Sequence, residues 1–181
     1  PRVNIQRVAI TPPPGGFLQA SLKGEQSLAA IVRQGVGEAT KIVDLFAGIG
    51  TFSFAMGQDV EVVAVEGDRD QVQAMIQGRD AARLTRVEVK MRDLVRRPLS
   101  VAELNGFEAV VFDPPRAGAR SQSRIIAASM VPRIVGISCN LSTFVRDVRT
   151  LVDGGYRLLS VTPVDQFPWS RHLELVACLQ R

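Results

Sequence analysis

Short apolar runs that alternate with stretches of helical periodicity restrict the fold of this chain more than any other feature. "KIVDLF" (41–46), "VEVVAVE" (60–66), "RVEVKM" (86–91), "FEAVVFD" (107–113) and "RIVGIS" (133–138) read as strands. "GTFSFAMG" (50–57), "DRDQVQAMIQGRDAAR" (68–83), "RSQSRIIAASM" (120–130) and "STFVRDVRTLV" (142–152) read as helices. Asp68 is placed to cap the second of these helices and Ser142 the last, which Gly154 and Gly155 end. A further helix is expected over "SLKGEQSLAAIVRQGV" (21–36), capped by Ser21. Apolar strands separated by helices predict a parallel sheet covered on both faces. "YRLLSVTPV" (156–164) and "HLELVACLQ" (172–180) have no helix between them and should pair antiparallel. The expected fold is α/β and doubly wound, mostly parallel, with an antiparallel C-terminal strand pair.

The 181 residues suffice for one domain with a sizeable core. The cluster "TPPPGG" (11–16) marks a boundary. Residues 1–13 are expected to be a short strand remnant of an upstream subdomain, or a linker, and residues 14–181 the domain proper. The chain begins without Met, which suggests a processed chain or a piece of a longer one. No apolar run approaches the roughly 20 residues of a membrane span, and the first residues lack signal-peptide architecture. The 2 cysteines, Cys139 and Cys178, are too few for a disulfide scaffold and too far apart for a metal or redox pair. They read as reduced thiols in a cytoplasmic protein, with no metal expected and a monomer favoured. A net charge of +4 permits an anionic partner such as RNA without requiring one.

In a sheet of this kind ligands bind at the carboxyl ends of the strands. "DLFAGIG" (44–50), Glu66, Asp93, "DPPR" (113–116) and "SCN" (138–140) all fall on that rim. Gly48 and Gly50 allow a tight turn and close approach to a ligand. Glu66, about 20 residues further on, can accept hydrogen bonds from the ribose hydroxyls of a nucleoside. That much suits a nicotinamide cofactor as well as S-adenosylmethionine. Two details favour S-adenosylmethionine. Asp44 precedes the glycines as a buried carboxylate, which suits an ammonium-bearing ligand and not a pyrophosphate. The third glycine of the dinucleotide pattern is replaced by Phe52 and Ser53. Asp93 can accept from an adenine amino group.

Two successive prolines in "VVFDPPRAG" (110–118) fix an extended turn that holds Asp113 beside such a cofactor. Arg116 stands where base-stacking versions of this turn carry an aromatic residue. A guanidinium suits a phosphate or a pyrimidine carbonyl instead. Cys139 ends an apolar strand. Taken alone, it reads either as a small hydrophobe closing that strand or as a nucleophile at its tip.

Taken in order, "DLFAGIGTF", "VEGD", "DPPRAG", "ISCN" and "HLELVACLQR" resemble the catalytic domain of the RNA uracil-5-methyltransferases. These enzymes form 5-methyluridine in tRNA and rRNA. The resemblance runs from about Pro14 to Arg181 and implies the Rossmann-like class I methyltransferase fold with S-adenosyl-L-methionine as cofactor. It implies Cys139 as nucleophile toward carbon 6 of uracil and Glu174 as the base that takes the carbon-5 proton. Carried over residue by residue, cofactor contacts fall on Gln19, Phe46, Thr51, Glu66, Asp93 and Asp113, beside Asp44, Gly48 and Gly50. Arg116, Asn140 and His172 are assigned to the substrate, His172 alternatively to orienting Glu174. Ser21 stands where the family usually has Asn, and Leu141 where Pro is common, which implies a looser loop after Cys139.

Trp169 reads equally as a stacking residue or as packing, and Cys178 as core filler. Family members usually carry an N-terminal oligonucleotide-binding barrel, and some bind an iron–sulfur cluster. Full RNA affinity is therefore expected to need more chain than this, and the domain alone is expected to be weakly active. Two alternatives stay open: an RNA cytosine-5-methyltransferase, and a non-catalytic RNA-binding module of the same fold.

Overall fold

The structure is a computed structural model that describes residues 2–16, 18–19, 21–166 and 173–181. The chain runs through β1 (Val3–Ile5), β2 (Val8–Ile10), α1 (Leu22–Val36), β3 (Lys41–Leu45), α2 (Thr51–Met56), β4 (Glu61–Glu66) and α3 (Arg69–Ala81). It continues through β5 (Val87–Met91), α4 (Val101–Leu104), β6 (Ala109–Phe112), α5 (Arg120–Ala128), β7 (Arg133–Ser138), α6 (Leu141–Asp153), β8 (Arg157–Val164) and β9 (Glu174–Gln180). Seven strands form one sheet in the order β5-β4-β3-β6-β7-β9-β8. From β5 through β7 every pairing is parallel, while β9 runs antiparallel to both β7 and β8. This is the expected doubly wound architecture with its antiparallel C-terminal pair.

The winding reverses between β3 and β6, so a crevice opens above their carboxyl ends. Alternate side chains of each central strand feed two cores. Ile42, Ala64 and Val111 pack with Leu28, Val32, Phe52 and Met75 on the face covered by α1, α2 and α3. Val43, Val110 and Ile134 pack with Leu104, Ile126, Phe144 and Leu151 on the opposite face. Both faces are thus covered, which is why the strands are apolar throughout and not alternating.

Three local features depart from the expectations. The segment before "TPPPGG" forms the β1–β2 hairpin, and its Ile5, Val8 and Ile10 are buried in the same core as α1 and α3. α4 was not foreseen; a capping box between Ser100 and Glu103 starts this single turn. Asn140, not Ser142, caps α6. The Asn140 side-chain oxygen accepts the backbone N–H groups of Ser142 at 3.0 Å and Thr143 at 3.3 Å, because the strand delivers Asn140 in an extended conformation one residue before the first turn. Ser21 and Asp68 cap α1 and α3 as expected.

Candidate active site

The crevice at the winding switch is a cavity of about 710 Å³. Its wall brings together Gln19, Phe46, Gly48, Thr51, Glu66, Asp93, Asp113, Arg116, Cys139 and Glu174, residues spread over most of the chain. Every one of them was expected there from sequence. Asp44, Gly50 and Asn140 are not among the lining residues, the first two being buried, and His172 lies outside the described residues, as does Trp169.

The glycine loop is shaped from within. Phe46 leaves β3 with φ 61°, a left-handed conformation rare for an aromatic residue, between Leu45 in the sheet and Ala47, whose N–H is donated to the Val65 carbonyl at 3.1 Å. Gly48 donates its N–H to Glu66 Oε2 at 2.8 Å, while Gly67 and Asp68 donate to Oε1 at 2.7 Å and 2.8 Å. A carboxylate offers about four acceptor sites, so these bonds leave Glu66 roughly one for a ligand. The expectation that Glu66 takes both ribose hydroxyls is therefore narrowed to one more bond in this geometry. Gly50 serves packing: at φ 99°, a Cβ there would lie 2.8 Å from the Phe54 ring.

Asp44 is wholly buried one layer below. Ser53 donates its hydroxyl to Asp44 Oδ2 at 2.6 Å, and Oδ1 has no partner. Burial raises this carboxyl from 3.8 to about 7, against the lowering effect of Ser53. Asp113, at the end of β6, is raised to about 8, first by burial and then by the nearby charges of Glu174 and Asp44. Glu174, 5% exposed at the start of β9, is also raised by burial. Asp93 ends the wall near Leu94 and Val95; its Oδ1 accepts the N–H groups of Val95 and Arg96 at 3.0 Å and 3.1 Å.

Cys139 is half-buried at the tip of β7. Burial and the carboxylates of Glu174 and Asp113 push its thiol up, while a hydrogen bond from Arg116 opposes them. The resting thiol is therefore protonated at neutral pH, and a cation placed in the cavity would favour the thiolate. The other cysteine, Cys178, is buried opposite Val135 in the β7–β9 pairing and does not line the cavity. No group of three or more His, Cys, Asp or Glu suited to a metal occurs among the described residues.

Sequence reasoning missed two parts of the site. Ile49, Leu94 and Val95 add apolar wall around the glycine loop and beyond Asp93. The signal was there in the apolar residues next to each polar landmark. Gln166, 5% exposed, donates to Gln19 Oε1 at 2.8 Å and so fixes the orientation of the Gln19 amide. No sequence pattern marks Gln166, because its partner is 147 residues away. Gly24 leaves room for it: a Cβ there would lie 2.5 Å from the Gln166 amide.

An acidic cavity with a thiol in its wall can hold a cationic, nucleoside-bearing ligand against a base that the thiol attacks. A family model described as tRNA (uracil-5-)-methyltransferase matches residues 16–181. An uncharacterized RNA methyltransferase of Mesorhizobium japonicum is 50% identical over 182 residues, spanning 100% of this chain and 44% of that protein. The 23S rRNA (uracil(1939)-C(5))-methyltransferase RlmD of Aeromonas salmonicida is 34% identical, over 100% of this chain and 42% of its own length. Among solved structures, the tRNA (uracil-54, C5)-methyltransferase of Pyrococcus abyssi in complex with S-adenosyl-L-homocysteine superposes with a TM-score of 0.85 at 28% identity. It matches 99% of this chain and 44% of that one. The chain thus spans less than half the length of the relatives it matches.

Proposed function

The chain belongs to the tRNA (uracil-5-)-methyltransferase family, and from that premise we propose that residues 14–181 form the catalytic domain of a cytoplasmic RNA methyltransferase. It transfers a methyl group from S-adenosyl-L-methionine to carbon 5 of a uridine in rRNA or tRNA. The observation that carries this reading is the convergence of Arg116, Asp113 and Glu174 on Cys139 in the wall of a cavity that Glu66 and Asp93 also line.

The acidic wall fits the cofactor by charge. Asp113 in the wall, with the buried Asp44 behind it, would offer negative charge to its ammonium and sulfonium, Glu66 an acceptor to the ribose, and Asp93 one to the adenine amino group. Gln19, Phe46, Gly48 and Thr51 also line the cavity, with Gly50 packed against Phe54. When bound, the cofactor supplies an electrophilic methyl group.

The chain's own residues supply the activation. Carbon 5 of uracil is a poor nucleophile. The Cys139 thiolate adds to carbon 6, forming a C–S bond and moving the ring electrons into an enolate whose carbon 5 can take the methyl group. Arg116 favours the thiolate by its hydrogen bond to the sulfur. Glu174, buried and raised, then accepts the carbon-5 proton; the C–S bond breaks and Cys139 leaves as thiolate. The Asn140 side-chain oxygen is engaged by α6, which leaves its amide N–H groups for the base. His172 is assigned to orienting Glu174 or the base. RNA is the partner, and the target base must be extruded to reach the sulfur.

A cytosine-5 enzyme using two cysteines finds only one thiol in the cavity wall, since Cys178 is in the core. A non-catalytic module would not need Cys139, Glu174 and Arg116 gathered in that wall. Nucleoside mass spectrometry of RNA treated with full-length protein and S-adenosylmethionine tests the reading. The expected product is 5-methyluridine; 5-methylcytidine, or no methylated base, would reject it.

A further inference from the structure

The loop after the Asp-Pro-Pro-Arg turn and the helix after Cys139 are fastened to each other. Ala119, the residue before α5, has no side chain that can cap it. Its own N–H is donated to Asp147 Oδ2 of α6 at 2.8 Å, a carboxylate only 4% exposed. The other oxygen of Asp147 accepts Arg146 Nε at 2.9 Å and Nη2 at 2.8 Å. Arg146 Nη2 also donates to the Ala117 carbonyl at 3.1 Å. The Thr143 hydroxyl lies 3.2 Å from the carbonyls of both Arg116 and Asn140, bridging the two loops that meet at Cys139. Gly118, at φ +74°, lets the backbone lie this close; a Cβ there would fall 2.6 Å from Asp147 Oδ2 and 2.9 Å from Thr143 Cβ.

A buried carboxylate is costly unless it is paired and hydrogen-bonded, and Asp147 is both: one oxygen holds the neighbouring loop and the other the Arg146 guanidinium. The pairing of Arg146 and Asp147 is therefore not an idle surface contact. We propose that Thr143, Arg146 and Asp147 are positioning residues, which set the Arg116 turn in register with the start of α6 and so hold the guanidinium on the sulfur of Cys139. This rests on the reading of Cys139 as the nucleophile. Among the described residues, the groups facing that sulfur are Arg116 from the turn, Asp113 at the end of β6 and Glu174 of β9. The two carboxyl groups oppose ionisation, so the thiolate depends on how firmly the Arg116 guanidinium is held. A free arginine side chain samples many rotamers; fixing the backbone that carries it reduces what must be ordered.

The pH dependence of Cys139 alkylation by iodoacetamide, followed on its own peptide by mass spectrometry in full-length protein, tests this. Melting temperature is recorded alongside. Thr143→Val, Arg146→Ala and Asp147→Asn are expected to move the midpoint to higher pH and to slow alkylation at neutral pH by roughly threefold or more. Thr143→Ser keeps the hydroxyl and should retain the parent profile. In an Arg116→Ala background the three changes should shift the midpoint no further. An unchanged midpoint in folded Thr143→Val, or an equal shift without Arg116, overturns the proposal. Failure of the nucleophile reading shows itself separately, as RNA methylation that survives Cys139→Ala.

Discussion

At the scale of single residues, the cavity is lined by Asp113 and backed by Asp44, two carboxyls kept near neutrality. Asp44 at about 7 and Asp113 at about 8 are both partly or mostly protonated at neutral pH in the ligand-free protein. A cationic cofactor favours their ionised forms, so its binding should release protons. Affinity for S-adenosylmethionine should therefore rise between about pH 6 and pH 9. Calorimetry in buffers of different ionisation heat should read net proton release, and less of it for S-adenosylhomocysteine, which lacks the sulfonium charge. A pH-independent affinity would contradict the charge assignment. The same carboxyls affect stability. The native state holds the Asp44 proton more tightly than the unfolded chain does. Stability from that proton is complete below 3.8 and is lost as pH rises through about 7. Asp44→Asn should thus stabilise the protein at pH 8 in urea unfolding, by at most about 4 kcal/mol, and leave it unchanged at the acid end.

Elements were the most legible level. The strands and long helices follow periodicity, and Ser21 and Asp68 cap where a polar residue precedes an apolar pattern. What stayed hidden depends on partners distant in sequence. Asp147 holds Ala119, the residue before α5, from another helix, and Gln166 orients Gln19 across 147 positions. Asn140 was read for its chemistry and Ser142 for the cap, when the side-chain oxygen of Asn140 serves the helix. The hairpin was half legible, since a strand was expected before "TPPPGG" but not its pairing. Gln6 and Arg7 both take positive φ, 48° and 70°, although neither is the Asn or Gly such a turn prefers. Arg7→Gly should relieve that strain and stabilise the protein by about 0.5 kcal/mol, read as a small rise in melting temperature. At the other end, the Arg181 guanidinium reaches the carbonyls of Ser129, Ala127 and Gly154 and lies over the Tyr156 ring. Arg181→Ala should cost about 2 kcal/mol in urea unfolding, because it strips charge-assisted bonds from the ends of α5 and α6.

For the molecule as a whole, a basic chain encloses an acidic cavity. That division suits an anionic polymer outside and a cationic cofactor within. The rim of the sheet was predictable because the topology gathers the carboxyl ends of the parallel strands on one side, where the antiparallel β9 starts with Glu174, and the resemblance assigned roles there. The tightness of the site was not predictable, since it comes from hydrogen bonds between loops. The central claim is that Cys139 bonds covalently to the target base and that Glu174 releases it. RNA carrying 5-fluorouridine tests it most directly, because fluorine in place of the carbon-5 proton blocks elimination. With S-adenosylmethionine present, the full-length protein should form a denaturation-resistant complex with that RNA, Cys139→Ala should form none, and Glu174→Gln should trap even ordinary uridine RNA. A complex that persists in Cys139→Ala would contradict the account.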